Sequence, residues 1–361
     1  MKKKLIAFFC AATLLTTAVF TGCGSSTTDT STDETAVTEE SADQASDTTA
    51  ETAEETTAPD TDIRVAALKG PTAMGMVKLM DDSDNDATET NHYTFTIAGA
   101  ADEITPSLIQ GEVDIAAVPA NLAAVLSKKT DGGIQVLAIN TLGVLYIVEN
   151  GDTINSVSDL KGKTIYASGK GATPEYALNY MLTANGIDPE TDVTIEYKSE
   201  HSECVSALEA DPDGVAMLPQ PFVTTAQMSN ENTRVALDMT EEWQKAAEAS
   251  GSTATLVTGV VVARTDFINE NPEAVALFMD QYEESVAYTN ENISDASALI
   301  EKYDIIKAAV AEKAIPYCNI TFISGDEMKE KLGGYLEELY NQNPESVGGE
   351  VPGDTFYYTA Q

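Results

Sequence analysis

From residue 63 onward, short apolar runs alternate with amphipathic stretches, a pattern that predicts an α/β fold with a largely parallel sheet. Residues 63–68 read as a first strand, followed by a Gly70-Pro71-Thr72 turn and a helix over 73–80. Strands are predicted at 93–98, 113–118 and 136–139, with a helix over 101–110 and another starting at Pro119-Ala120-Asn121. A second unit begins with a strand at 145–148. It continues with a short helical turn at 158–162, a strand at 163–167, a glycine-rich turn at 168–174, and a helix over 175–185 closed by Gly186. A strand at 193–197, a helix over 202–209 and a strand at 215–218 complete the recognisable pattern of that unit. Residues 255–263 read as a strand returning to the first unit, and 272–340 as helical. The predicted organisation is therefore a first lobe made of 63–143 plus 257–361 and a second lobe, 144–256, inserted into it. Two chain crossings between such lobes form a natural hinge.

The start of the chain has a different texture. Three lysines follow Met1, and a mostly apolar run from Leu5 to Phe20 leads to small residues, which predicts a secretory signal over 1–22. The run ends Val19-Phe20-Thr21-Gly22-Cys23 and resembles the lipobox of bacterial lipoproteins. That resemblance implies a lipid on Cys23. Residues 24–62 are almost entirely Ser, Thr, Ala, Asp and Glu, with no Lys and no aromatic side chain. Such a segment buries too little apolar surface to offset its ordering entropy, and its carboxylates repel one another. The expectation is an acidic tether, residues 23–62, holding the folded part at the extracellular face of a Gram-positive type of membrane through the lipid alone.

Charge narrows the partners. With 20 Lys and Arg against 59 Asp and Glu, the formal net charge is −39, so nucleic acid and anionic lipid surfaces are disfavoured. Cysteines are sparse: Cys10, Cys23, Cys204 and Cys318, with no CxxC spacing and hence no thiolate metal site. A Cys204–Cys318 disulfide and two free thiols both remain open. The chain has two histidines, His92 and His201. His201-Ser202-Glu203-Cys204 gathers polar groups at a helix start, but the spacing matches no ligand pattern, and Ser202 as a helix cap is the simpler reading. Gly169-Lys170-Gly171 lacks the Gly-Lys-Ser/Thr ending of a phosphate-binding Walker loop. No metal, cofactor or catalytic residue is expected.

Candidate binding chemistry lies instead at turns that follow predicted strands. In open α/β sheets, ligands sit beyond the carboxyl ends of the strands, where helix N-termini present unpaired N–H groups and partial positive charge. The turns at 70–75, 99–102, 119–121 and 168–174 qualify. They supply Lys69, Gly70, Thr72, Met74, Gly99, Asn121, Ser168, Lys170, Gly171 and Thr173 as ligand-binding candidates, with Thr141 and Gln220 at two further strand ends. Lysines near these turns favour an anion or a polar heterocycle; a neutral ligand stays open. Tyr146, Tyr166, Tyr176 and Phe222 lie near strand ends, where they can stack on a flat ligand or simply pack.

Several segments share a recognisable order: Ser158 to Ile165, Gly169 to Pro174, Leu182 to Gly186 with Asp188-Pro189, Asp114 to Pro119, and Leu218 to Phe222. In this order they resemble the nitrate/sulfonate/taurine and thiamine-precursor binding proteins of ABC importers, across essentially all of 63–340. The resemblance implies a type II periplasmic-binding-protein fold whose two lobes close on a small solute. It also implies a cognate ABC permease and ATPase as partners, a monomeric receptor without catalysis, and no fixed substrate. The alternatives that the residues leave open are an enzyme on the same fold or a surface-anchored interaction protein.

Overall fold

The first strand of the protein, Thr61–Leu68, alternates buried and exposed residues at its start and is buried from Val65 to Ala67. The structure is a computed structural model that describes residues 60–252 and 254–359. The predicted signal segment 1–22, Cys23 and nearly all of the 23–62 tether lie outside the described residues. From the start, the elements run β1 (Thr61–Leu68), α1 (Pro71–Met74), α2 (Val77–Asp84), β2 (Asn91–Ala98), α3 (Ala101–Gln110), β3 (Ile115–Pro119), α4 (Ala120–Lys129) and β4 (Ile134–Leu142). The chain continues with β5 (Leu145–Asn150), β6 (Thr164–Ala167), α5 (Thr173–Ala184), β7 (Thr194–Tyr197), α6 (His201–Ala210), β8 (Val215–Pro219), α7 (Phe222–Ser229), β9 (Thr233–Asp238) and α8 (Met239–Ser250). It ends with β10 (Val257–Arg264), α9 (Thr265–Glu270), α10 (Pro272–Glu291), α11 (Ile293–Lys302), α12 (Ala308–Ala314), β11 (Ile320–Ile323) and α13 (Gly325–Gln342).

Two sheets result. The first has the order β11-β4-β10-β3-β1-β2 and the second β7-β6-β8-β5-β9. Both are mixed rather than parallel throughout, because β10 and β11 run against β4, and β5 runs against β8 and β9. The carboxyl ends of β1, β2, β3 and β4 share one edge of the first sheet. Those of β6, β7, β8 and β9 share one edge of the second. β4 ends at Leu142 and β5 begins at Leu145, opposite Pro219 at the end of β8. The short Gly143-Val144 link therefore joins the two carboxyl edges, and β10 re-enters the first sheet with Val257 opposite Leu142.

Two sequence expectations change. The 73–80 helix is broken into α1 and α2 around Gly75, where an added Cβ would meet Ile320 at 3.0 Å and Val286 at 3.2 Å. Tertiary contact with β11 and α10 presses the backbone in at that point, and local propensity cannot report it. The helical reading of 272–340 is interrupted by β11, a four-residue strand that exists because β4 offers an edge to pair with. The sequence pattern left 223–254 unread, yet it holds α7, β9 and α8.

The apolar core is unequal on the two sides of the sheets. One cluster is continuous across both: it joins Val118 and Val260 of the first sheet to Ile147 and Ile165 of the second through Trp243 and the α13 residues Leu332, Tyr335 and Leu336. On the other side the clusters are separate. One, around Ile63, Phe278 and Tyr282, belongs to the first sheet; the other, around Val148, Leu208 and Val223, belongs to the second.

Candidate functional site

The carboxyl edge of the first sheet is built around Gly259. A Cβ there would lie 2.6 Å from Asn140 Oδ1, 2.8 Å from Thr72 Cγ2 and 3.3 Å from Thr141 Cβ. Only a residue without a side chain lets these three polar residues from α1 and β4 converge over β10. The Thr72 hydroxyl donates to the Leu68 carbonyl at 2.8 Å, and the Thr141 hydroxyl to Asn140 Oδ1 at 3.1 Å. Asn140 is fully buried, and its Nδ2 has no hydrogen-bond partner.

Across the gap, the second sheet contributes Ser168 at the end of β6. Its buried hydroxyl lies 2.5 Å from His201 Nδ1 at the start of α6. The His201 ring packs against Phe222, with centroids 5.1 Å apart. Burial pushes the His201 pKa down to about 4, so the ring is neutral at physiological pH and acts as a hydrogen-bonding group rather than a cation. Gln220 is buried at the end of β8, and its Oε1 accepts the Thr224 hydroxyl at 2.9 Å and the Thr224 N–H at 3.3 Å.

Asn121 and Thr173 meet directly. The Thr173 hydroxyl donates to Asn121 Oδ1 at 3.4 Å, Tyr335 Oη donates to Thr173 Oγ1 at 3.1 Å, and Asn121 Nδ2 donates to the Ser346 carbonyl at 3.2 Å. Both residues are buried. This chain of bonds ties α4 of the first half to α5 of the second and to α13.

Other predicted residues lie differently. Lys69 is exposed and pairs with Asp304 at 3.3 Å, so its charge is directed to the outer surface. Lys170 is exposed and sits 5.6 Å from the Tyr197 ring centre. Met74 is fully buried among the apolar residues beneath the first sheet and packs rather than facing a ligand. Gly70, at φ 123°, leaves open space where a side chain would stand. The aromatic candidates divide as well: Tyr146 is buried, Tyr166 Oη donates to Asp211 at 3.1 Å, and Tyr176 is half-buried. Cys204 and Cys318 are both free and buried.

The helix starts along the two edges separate by charge. The N–H groups of Gly99 and Ala100 donate to Glu103 of α3 at 3.1 and 2.9 Å. Gly171 N–H donates to Glu175 of α5 at 2.6 Å, and Ser199 N–H to Glu203 of α6 at 2.8 Å. At α8, Asp238 accepts from Thr240 N–H at 2.8 Å. These N-termini already hold an internal carboxylate, whose negative charge offsets the partial positive charge that an anion would use. By contrast, α1, α4 and α7 have no acidic residue in the first turn. The carboxylate-free helices follow β1, β3 and β8, which are inner strands. The filled ones follow the edge strands β2, β7 and β9 and the next-to-edge strand β6. The sequence reading treated all such turns alike; a Glu at the third helical position was the signal that distinguishes them.

Comparison with known proteins agrees with this architecture. Residues 86–312 match the family described as ABC transporter, phosphonate, periplasmic substrate-binding protein. The chain belongs to this family. A member of it is the substrate-binding component of an ABC transporter, which binds a small solute for the permease and performs no catalysis. Several solved structures share the fold of this family member. An ABC transporter protein from Parabacteroides distasonis has a TM-score of 0.69 at 23% identity, covering 84% of this chain and 100% of that one. The periplasmic aliphatic sulphonate binding protein SsuA from Escherichia coli has a TM-score of 0.66 at 15% identity, covering 84% and 94%. The alkanesulfonate-binding protein SsuA from Xanthomonas axonopodis pv. citri, bound to MOPS, has a TM-score of 0.61 at 14% identity, covering 79% and 94%. No curated protein matches the chain in sequence. No helix among the described residues is long and apolar enough to cross a membrane.

Proposed function

We propose that this substrate-binding protein captures a small organic oxyanion of the phosphonate or sulfonate class between lobes 63–143/257–361 and 144–256. The observation that carries this reading is the charge pattern of the helix starts. Glu103, Glu175, Glu203 and Asp238 fill the flanking N-termini, whereas α4 and α7, over inner strands of the two sheets, have no acid in the first turn. A helix N-terminus without an acidic residue stabilises an anion through backbone N–H groups and the helix dipole; at α7 one of those groups, the Thr224 N–H, is held by Gln220 Oε1. Thr72, Thr141, Ser168, neutral His201 and Gln220 add hydroxyl, imidazole and amide partners along the same edges. An anion held by such neutral donors, with Lys69 and Lys170 directed elsewhere, is bound by hydrogen bonds rather than by ion pairs. Gly70 leaves open space where a side chain would stand in the turn before α1. Asn121 and Thr173 hold the lobes together at one side of the site.

The same reading keeps the protein at the cell surface as a monomer. The Thr21-Gly22-Cys23 sequence supports lipidation of Cys23 after removal of 1–22, and the acidic stretch to residue 62 supports a tether to a Gram-positive type of membrane. Metabolic labelling with a fatty acid, lost on Cys23→Ser, tests the anchor.

Thermal denaturation of the protein with methylphosphonate, methanesulfonate, nitrate, taurine, a thiamine precursor and a neutral heterocycle tests the substrate class. A ligand at a hundred times its dissociation constant adds about 2.7 kcal/mol of stability. The expected outcome is a rise in Tm with the organic oxyanions. A response confined to the neutral heterocycle overturns the anion reading.

A further inference from the structure

Glu338 of α13 is half-buried, and among the described residues its carboxylate has no cationic or hydrogen-bonding partner. The positions three and four residues away along the helix are Gly334, Tyr335, Asn341 and Gln342, so no lysine or arginine on α13 can reach it. Burial, and then the adjacent Glu337, hold its carboxyl above the ordinary glutamate range. Glu338 lines a groove of about 590 Å³ between α5, α8 and α13.

The facing wall of the groove carries a second group without a partner. Tyr180 of α5 is 8% exposed, and its ring packs on Trp243 with centroids 4.3 Å apart. Packing accounts for the ring but not for the hydroxyl, which is buried, makes no hydrogen bond, and lies near enough to Glu338 to feel its charge. Ser250, beside it, donates its own proton to the Ala247 carbonyl at 2.8 Å. A buried phenol usually finds a partner, so this one points to a group that completes it. Tyr176 adds a second ring to the groove, and Asn179 and Asn341 add amides from α5 and α13.

The charge of the groove selects the occupant. Its charged lining residues are Glu175 and Glu338, with no lysine or arginine. Glu175 already accepts from the Gly171 N–H at 2.6 Å, which leaves Glu338 as the free carboxylate. An anion is repelled here. A hard metal ion needs several oxygen ligands, and no group of three acidic, histidine or cysteine side chains suited to a metal exists among the described residues. An occupant that brings positive charge together with N–H donors satisfies both unpartnered groups. Its charge offsets Glu338, its N–H groups donate to the Glu338 carboxylate and to Tyr180 Oη, and the tyrosine rings favour a cation near their faces.

We propose that the groove between α5, α8 and α13 is a second binding site, for a small molecule carrying a primary ammonium group, with Glu338 as its counter-ion and Tyr180 Oη as an acceptor. None of Thr72, Thr141, Ser168 and Gln220 lines this groove, so the site does not depend on the oxyanion reading of the carboxyl edges.

Calorimetric titration of the full chain with diaminobutane tests the site, with tetramethylammonium, glycerol and sodium chloride at matched ionic strength as comparisons. Saturable binding of diaminobutane is expected. Glu338→Gln, which keeps the shape and removes the charge, is expected to weaken it about tenfold or more, and Tyr180→Phe about threefold or more. Glu312→Gln, which removes an exposed carboxylate on α12, is expected to leave it unchanged. Equal binding of tetramethylammonium, which has no N–H donor, overturns the proposal, as does a response to glycerol alone. A response that sodium chloride reproduces, or an equal loss in Glu312→Gln, shows general screening of an acidic surface and also overturns it. So does the absence of binding to the parent protein, or unchanged binding in Glu338→Gln.

Discussion

Thr173 and Asn121 lie 52 positions apart in the chain, yet the Thr173 hydroxyl donates to Asn121 Oδ1 at 3.4 Å while accepting from Tyr335 Oη at 3.1 Å. The bond joins the first residue of a helix above the second sheet to a helix above the first. These two residues therefore tie the helix after β3 to the helix after β6, and so one sheet to the other. Replacing Thr173 with Val keeps its shape and removes the hydroxyl, leaving Asn121 Oδ1 and Tyr335 Oη buried without that partner. Denaturant unfolding is expected to show a loss of about 1–3 kcal/mol. Calorimetry is expected to show weaker solute binding in Thr173→Val, and a smaller effect in Tyr335→Phe, which removes one of the two bonds. Unchanged stability and affinity in both variants would exclude this role.

Gly259 sets the shape of the first sheet's edge. In Gly259→Ala the new Cβ meets Asn140 Oδ1 and Thr72 Cγ2 at 2.6 and 2.8 Å, so the polar residues over β10 must move. Overpacking of this kind costs about 1–3 kcal/mol. A lowered Tm together with reduced solute affinity is expected; a drop in Tm with wild-type affinity would move the site away from this edge.

His201 gives stability a pH dependence with a defined sign. Burial lowers its folded-state pKa to about 4, below the ordinary histidine value of about 6.5. As pH falls through this window the unfolded chain takes up a proton that the folded protein resists. The folded state therefore loses stability from about pH 6.5 down to about pH 4 and gains it in the reverse direction. His201→Asn is expected to flatten that part of the stability–pH curve measured by denaturant unfolding. An equally steep curve in the variant would show that His201 is not the group responsible.

Glu149 contributes in a more acidic range. Burial alone would raise its pKa, but the N–H groups of Ile154 and Thr153, the Thr153 hydroxyl and the Arg234 guanidinium outweigh it and hold the carboxyl below its ordinary value. A lowered carboxyl pKa stabilises the fold above the unfolded-state value and loses that contribution as pH falls through the folded one. Glu149→Gln is expected to be less stable than the parent at pH 7, with the difference shrinking below about pH 4.5, the ordinary glutamate range. Unfolding midpoints across pH 3–7 measure this, and a constant difference would contradict it.

The strands and helices that carry their own pattern were legible before folding. The helix at 101–110 coincides with α3, and the strands near 63–68, 93–98 and 145–148 sit within β1, β2 and β5. Each has enough buried positions at a regular period to identify itself. The order of the segments from Asp114 to Phe222 likewise identified the receptor family. What escaped were elements whose reason for existing lies elsewhere in the chain. β11 is four residues long and is a strand because β4 lies beside it; α1 ends where β11 and α10 press on Gly75. The site was half legible for the same reason. Strand ends and glycine turns announced where helix N-termini would gather, and Thr72, Thr141, Ser168 and Gln220 do lie at those edges. Side-chain direction did not follow from position: Met74 turned into the core, Lys69 toward Asp304, and Asn121 and Thr173 toward each other. Periodicity and composition determined the elements and the acidity, because these are sums over neighbouring positions. Which carboxylate fills which helix start and which polar groups converge on Gly259 were decided only by the tertiary structure, because each depends on a distance between residues that the chain order leaves free.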